Sequence, residues 1–238
     1  TLEKEYGKVN INIAEVAKVE SVNNYQQVFE ELFGEIIDSG LLEDSKDVRV
    51  CVVGGGGDLM IPEGDNITVD FDPVASSNPS HSFNYGEFYT LTKLKEYANS
   101  VEENTKILYC HLRGVTSPTN DCIPTWRKYL IHHNITNYKK CLEILDEYDA
   151  CGLDLISKER WPFADHFSGN FWWANSDHLK KLPEISEIDN PSAPQKATLR
   201  HNAEFWIGMV DAKLKSLFDA DVDICSRHLE KCPEEYYQ

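Results

Sequence analysis

Two pairs of charged residues stand where a strand-like run gives way to a loop, and each is chemically suggestive. Asp70-Phe71-Asp72 puts two carboxylates two residues apart at the end of Asn66–Asp72, a spacing with which both can approach a divalent cation carrying a diphosphate. The plainer reading makes Asp72 the start of an Asx-type turn before Pro73, with Asp70 solvated. His111-Leu112-Arg113-Gly114 follows the apolar run 107–110. Arg113 can grip phosphate oxygens with a planar fork, and His111 can carry a proton near neutral pH. Charged residues after an apolar strand are also ordinary turn material.

The densest signal is His166-Phe-Ser168-Gly169-Asn170-Phe-Trp172-Trp173. Aromatic faces next to amide and hydroxyl groups suit a sugar ring, whose C–H face is apolar and whose hydroxyls need directional partners. The competing reading is an aromatic core strand with a glycine bulge. Glu204, between apolar Ala203 and Phe205 on an expected helix, could act as a base or bind a ligand; a surface Glu on an amphipathic helix is the commoner outcome. Gly54–Gly57 after a strand invites a phosphate-loop reading. No Lys-Ser/Thr follows it, however, and Asp58 brings the wrong charge.

The elements that must hold these residues alternate. Val9–Ala14 alternates as a strand, and 23–39 carries a helical stripe of Val28, Leu32, Phe33, Ile36 and Ile37, closed by Gly40. Strands follow at 47–53 and 66–72, a helix at 88–98 and a strand at 105–110. Helices are expected at 124–133 and 138–148, with a closing helix over 203–218. This order predicts an α/β fold with a mixed, mainly parallel sheet flanked by helices. In such sheets ligands bind beyond the carboxyl ends of the strands, at a topological switch point, which turns attention to the loops at Gly54, Asp70 and His111.

The 238 residues carry a net charge of −17, so nothing draws the chain to nucleic acid or to an anionic membrane. No apolar run approaches the ~20 residues needed to cross a bilayer. The seven cysteines lack CxxC spacing, which argues against a zinc ribbon and fits scattered thiols in a reducing, cytoplasmic compartment. The length suits one domain, with a nucleotide-side half over 1–115, an acceptor-side half over 116–218 and an acidic tail over 219–238.

The segments Ile107-Leu-Tyr-Cys-His-Leu-Arg-Gly114, Trp126-Arg-Lys-Tyr129, Tyr148-Asp-Ala-Cys-Gly152, His166–Ala174 and Ala203-Glu-Phe-Trp206 together resemble a family of glycosyltransferases found in large DNA viruses, including chlorella viruses, and in bacterial surface-polysaccharide clusters. The resemblance spans roughly residues 23–209, with the aromatic block as its specific part. It implies a GT-A-like, Rossmann-type sheet and transfer of a sugar from a UDP- or GDP-sugar to a glycan or other hydroxyl acceptor, in the host cytoplasm if the source is viral. It assigns His111, Arg113, Gly114, Asp70, Asp72, Glu87 and Thr90 to the donor side, and His166, Ser168, Gly169, Asn170, Trp172 and Trp173 to the sugar and acceptor. Glu204 is the favoured base, with Asp149 and Asp165 behind it. Related enzymes hold manganese or magnesium with Asp-x-Asp after the equivalent strand. Here His111-Leu-Arg113 stands in that place, so Arg113 could neutralise the diphosphate directly, or Asp70, Asp72 or His111 could recruit the metal. Inverting and retaining outcomes both stay open. Two other classes compete: a non-catalytic carbohydrate-binding or interaction module, and a metal-dependent hydrolase using Asp70 and Asp72.

Overall fold

The computed structural model describes residues 9–14, 24–53, 59–74, 87–115, 120–160, 163–188, 201–218 and 231–237. The Gly54–Gly57 run and most of the acidic tail lie outside them.

Strands β1 (Val9–Ala14), β2 (Ser45–Val52), β3 (Ile67–Phe71) and β4 (Lys106–His111) are joined by β5 (Ala150–Gly152), β8 (Trp172–Asn175) and β9 (Leu214–Ser216) in one seven-stranded sheet of order β3-β2-β1-β4-β8-β5-β9. The first four are mutually parallel. β8 runs antiparallel to both β4 and β5, while β9 is parallel to β5. A two-stranded antiparallel ribbon, β6 (Leu155–Ile156) with β7 (His166–Phe167), stands at the end of β5. The sheet is thus mixed and mainly parallel.

Helix α1 (Tyr25–Asp38) forms because Val28, Phe29, Leu32, Phe33 and Ile36 make one apolar stripe. It ends at Gly40, whose φ of 81° only glycine adopts cheaply. The short α2 (Leu41–Asp44) leads into β2, α3 (Phe88–Ser100) precedes β4, and α4 (Ile123–Ile131) follows it. A π-helical turn, His132–Thr136, links α4 to α5 (Tyr138–Ile144). Two further short helices among the described residues are α6 (Ser176–Leu179) and α7 (His201–Phe205).

Alternate residues of β4 and β8 feed two core layers. Leu108, Cys110 and Trp173 face α1, α4 and α5, whereas Ile107, Tyr109 and Trp172 face α3, α6 and α7. The expected closing helix over 203–218 is corrected: helical geometry ends near Gly208 and the chain enters β9. At that point only glycine fits, since a Cβ on Gly208 would lie 1.8 Å from the Asp165 carbonyl oxygen. Scattered thiols are found at Cys51, Cys110, Cys122, Cys141 and Cys151; Cys232 departs from that expectation and is disulfide-bonded. Among the described residues no helix is long and apolar enough to cross a membrane.

Candidate functional site

From β1 the chain steps outward to β2 and β3, then returns to the other flank of β1 as β4. The sheet therefore has a switch point between the carboxyl ends of β1 and β4, where open α/β sheets characteristically leave a ligand-binding crevice. The antiparallel β8 is in register with β4 through Tyr109↔Trp172. Its lead-in, the 3-10 turn Ser168–Asn170, consequently lands beside the end of β4.

Glu87, at the entrance to α3, is the hub of a buried polar network there. Its Oε2 accepts hydrogen bonds from Tyr109 OH at 2.5 Å and from Asn170 Nδ2, and its Oε1 lies 3.8 Å from His111 Nδ1. Asn170 Oδ1 in turn accepts the Trp172 indole N–H at 2.8 Å. Asn170 has φ 52° and Gly169 φ 82°, and a Cβ on Gly169 would come within 2.9 Å of Leu130. Left-handed backbone at a non-glycine residue costs about 1–3 kcal/mol and persists only where its surroundings over-determine it; here the two side-chain bonds of Asn170 do so. His111 Nε2 is 3.0 Å from the Gly169 carbonyl. A carbonyl can only accept, so the proton sits on Nε2 and Nδ1 presents a lone pair toward Glu87. Burial pushes the His111 pKa below its ordinary value despite the nearby Glu87 carboxylate.

The loop leaving β4 is clamped by α4. Gly114 takes φ 94°, and a Cβ there would sit 2.2 Å from Ile123 Cγ2. Arg127 Nη1 donates to the Arg113 carbonyl at 3.1 Å, while its Nη2 and Nε reach Glu31 Oε2 at 2.6 and 3.1 Å. The Arg113 guanidinium carbon lies 3.9 Å from the centre of the Trp126 ring, a cation–π geometry that holds the fork flat.

Of the three carboxylates considered as a base, Glu204 is the one beside this crevice. It is half-buried on α7, which packs against β7 and the 168–170 turn, and its charge acts on both His111 and His166. Asp165 Oδ1 accepts the Lys158 N–H at 2.6 Å and so pins the loop before β7. Asp149 stands at the start of β5, at the opposite edge of the sheet, where its Oδ2 accepts the Lys213 N–H at 2.7 Å.

Several expected contacts are corrected by burial. Trp172 and Trp173 have 0% of their surface exposed, on opposite faces of the sheet, so neither can stack on a sugar. His111 is buried, with its ring held against the Gly169 carbonyl. His166 is buried edge-on to Phe205, with Nδ1 3.0 Å from the Ala164 carbonyl. Thr90 is buried beneath β2, against the Cys51 thiol, whose pKa burial pushes up to about 12. Ser168 is buried too, and its N–H is shared between the Leu153 and Asp154 carbonyls.

Asp72 Oδ1 accepts the Val74 N–H at 2.9 Å, the Asx turn that Pro73 suggested. Asp70 Oδ2 is buried and makes no hydrogen bond. No group of three or more His, Cys, Asp or Glu side chains among the described residues could hold a metal ion. One buried carboxylate oxygen does not by itself make a cation site.

Four participants escape a reading of the sequence. Tyr109 reads as strand filler, yet its hydroxyl reaches Glu87. Arg127 and Glu31 lie 96 positions apart, with no sequence signal to join them. Asp154, after β5, has φ 46° and accepts the Tyr129 hydroxyl at 3.2 Å; its one hint was a polar residue directly after the apolar run 150–153.

A family model described as a domain of unknown function (DUF8361) matches residues 12–210, and the chain belongs to that family. A search of curated proteins finds no match to it.

Proposed function

We propose that this chain, a member of a domain family of unknown function, is a glycosyltransferase that moves a sugar from a nucleoside-diphosphate donor to a hydroxyl of a glycan or similar acceptor. The observation that carries the reading is the meeting, at the switch-point edge, of Arg113-Gly114 leaving β4 with the 168–170 turn and the Glu204 helix. The parallel order β3-β2-β1-β4, followed by an antiparallel β8, supports a GT-A-like, Rossmann-type scaffold.

The donor's nucleotide lies over the carboxyl ends of β1 to β3, and its diphosphate meets the Arg113 fork. The acceptor enters from the α7 side. Glu204 takes the proton of the acceptor hydroxyl as its oxygen bonds to the anomeric carbon. The bond from that carbon to the diphosphate oxygen breaks with its electron pair, and Arg113 stabilises the charge that gathers there. Glu87, Tyr109, His111 and Asn170 hold the turn that forms the crevice floor. With both tryptophans in the core, sugar recognition falls to hydrogen bonding at this edge in place of aromatic stacking.

Calorimetry and turnover on two variants test the assignment. Glu204→Gln is expected to bind the donor within about twofold of wild type and to lose on the order of 10²–10⁴ in turnover, the usual contribution of a general base. Arg113→Ala is expected to lose donor affinity itself. Full turnover by Glu204→Gln would remove Glu204 as the base, and undiminished diphosphate affinity in Arg113→Ala would remove the diphosphate site.

A further inference from the structure

The crevice is bounded by two crossovers: α1 follows β1, α4 follows β4, and both pack on the same face of the sheet. One ion pair joins them. Arg127, with 8% of its side chain exposed, spends Nε and Nη2 on Glu31 of α1 and its remaining fork nitrogen Nη1 on the Arg113 carbonyl. Past that held carbonyl the backbone turns through the positive φ of Gly114, tight against Ile123. The Arg113 side chain is laid on Trp126, the residue directly before Arg127 on the helix. A single rigid guanidinium therefore ties the spacing of the crevice walls to the direction in which Arg113 points.

We propose that Arg127, braced by Glu31, is a positioning residue that pre-sets the Arg113 guanidinium for the donor diphosphate. The inference rests on the transferase reading. It predicts that a planar fork serves better than a point charge: a lysine ammonium in place of the guanidinium has three donors but no fixed fork, so it would hold Glu31 and the Arg113 carbonyl less rigidly. Pre-orientation also spares Arg113 the loss of rotamer freedom on binding, so the benefit falls on the phosphates and not on the base or ribose.

The test measures, by calorimetry, the affinities of UDP, GDP, uridine and guanosine for wild type, Arg127→Met, Arg127→Lys and Glu31→Gln, each first shown to unfold cooperatively. The advantage of the diphosphate over its own nucleoside is expected to fall at least tenfold in Arg127→Met, less in Arg127→Lys and least in Glu31→Gln. A general loosening of the fold would weaken nucleoside and diphosphate alike, so an unchanged ratio in Arg127→Met overturns the proposal. In parallel, the ¹⁵N-edited Nε–H resonance of Arg113, identified by its loss in Arg113→Lys, is expected to be ring-current shifted by Trp126 and to move to an unstacked position in Arg127→Met. If neither diphosphate outbinds its nucleoside in wild type, the transferase reading fails. The Nε–H resonance then decides the positioning role, and a signal unmoved in Arg127→Met overturns it.

Discussion

Glu87 offers the sharpest way to weigh the buried network. Its carboxylate accepts from Tyr109 OH and Asn170 Nδ2 through Oε2 and faces the His111 Nδ1 lone pair with Oε1. Glu87→Leu removes the acceptor of both donors, at about 1–3 kcal/mol each, so it should cost about 2–6 kcal/mol. Glu87→Gln keeps an oxygen for both donors and turns an amide N–H₂ toward His111 Nδ1. It forgoes charge assistance on two bonds, roughly 1 kcal/mol apiece, and regains about 1 kcal/mol through the new amide–imidazole bond. The net expectation is a loss of about 1 kcal/mol for Gln. Urea unfolding followed by far-UV circular dichroism, with the slope checked for constancy, reads the difference. If Leu is tolerated as well as Gln, or Gln costs as much as Leu, the network does not hold the turn and the reasoning fails.

Other consequences follow from the same geometry. Gly114→Ala must place a Cβ 2.2 Å from Ile123 Cγ2 at φ 94°; a stability loss of at least about 2 kcal/mol is expected in urea unfolding, partly recovered by adding Ile123→Ala. Asp149→Asn should keep turnover within about twofold, because Asp149 lies at the far edge of the sheet; a loss of two orders of magnitude would contradict that placement. Trp173→Ala should cost about 3–5 kcal/mol as a core truncation, with any change in ligand affinity tracking the unfolded fraction. Burial lowers the His133 pKa to about 4 in the folded chain, so the unfolded chain takes up the extra proton. Stability is then full above about pH 6.5 and falls between there and about pH 4. His133→Phe should flatten that decline in urea midpoints measured from pH 7.5 to 5, and an unchanged slope would refute the assignment.

Local patterning carried most of the fold. The strand at Val9–Ala14, the helix of Val28 to Ile36 and the Gly40 stop all follow from period and chirality, and the structure has them in place. The alternation of strands and helices foretold a mainly parallel sheet, but not that β8 would run antiparallel between β4 and β5. That one reversal changes the meaning of the aromatic block. Trp172 and Trp173 look like a sugar platform when read beside Asn170, yet adjacent positions on a strand point to opposite faces, and here both faces are covered. The closing helix failed because apolar spacing over 203–218 does not reveal that residues 214–216 pair with β5 as a strand. Glu31 and Arg127 were illegible for a different reason. Each looks like an ordinary charge on a helix, and only the packing of α1 beside α4 makes them partners.

The central claim is that the switch-point edge receives a nucleoside diphosphate, and thermal unfolding with UDP, GDP and their sugars, each with manganese and with a chelator, tests it most directly. A nucleotide at one hundred times its dissociation constant stabilises the native state by about 2.7 kcal/mol, which for a chain of this length is a shift of roughly 5–10 °C. Such a shift is expected for one diphosphate and its sugar, and is expected to be lost in Arg113→Ala. A cooperative transition that no nucleotide moves, with or without the metal, would contradict that claim.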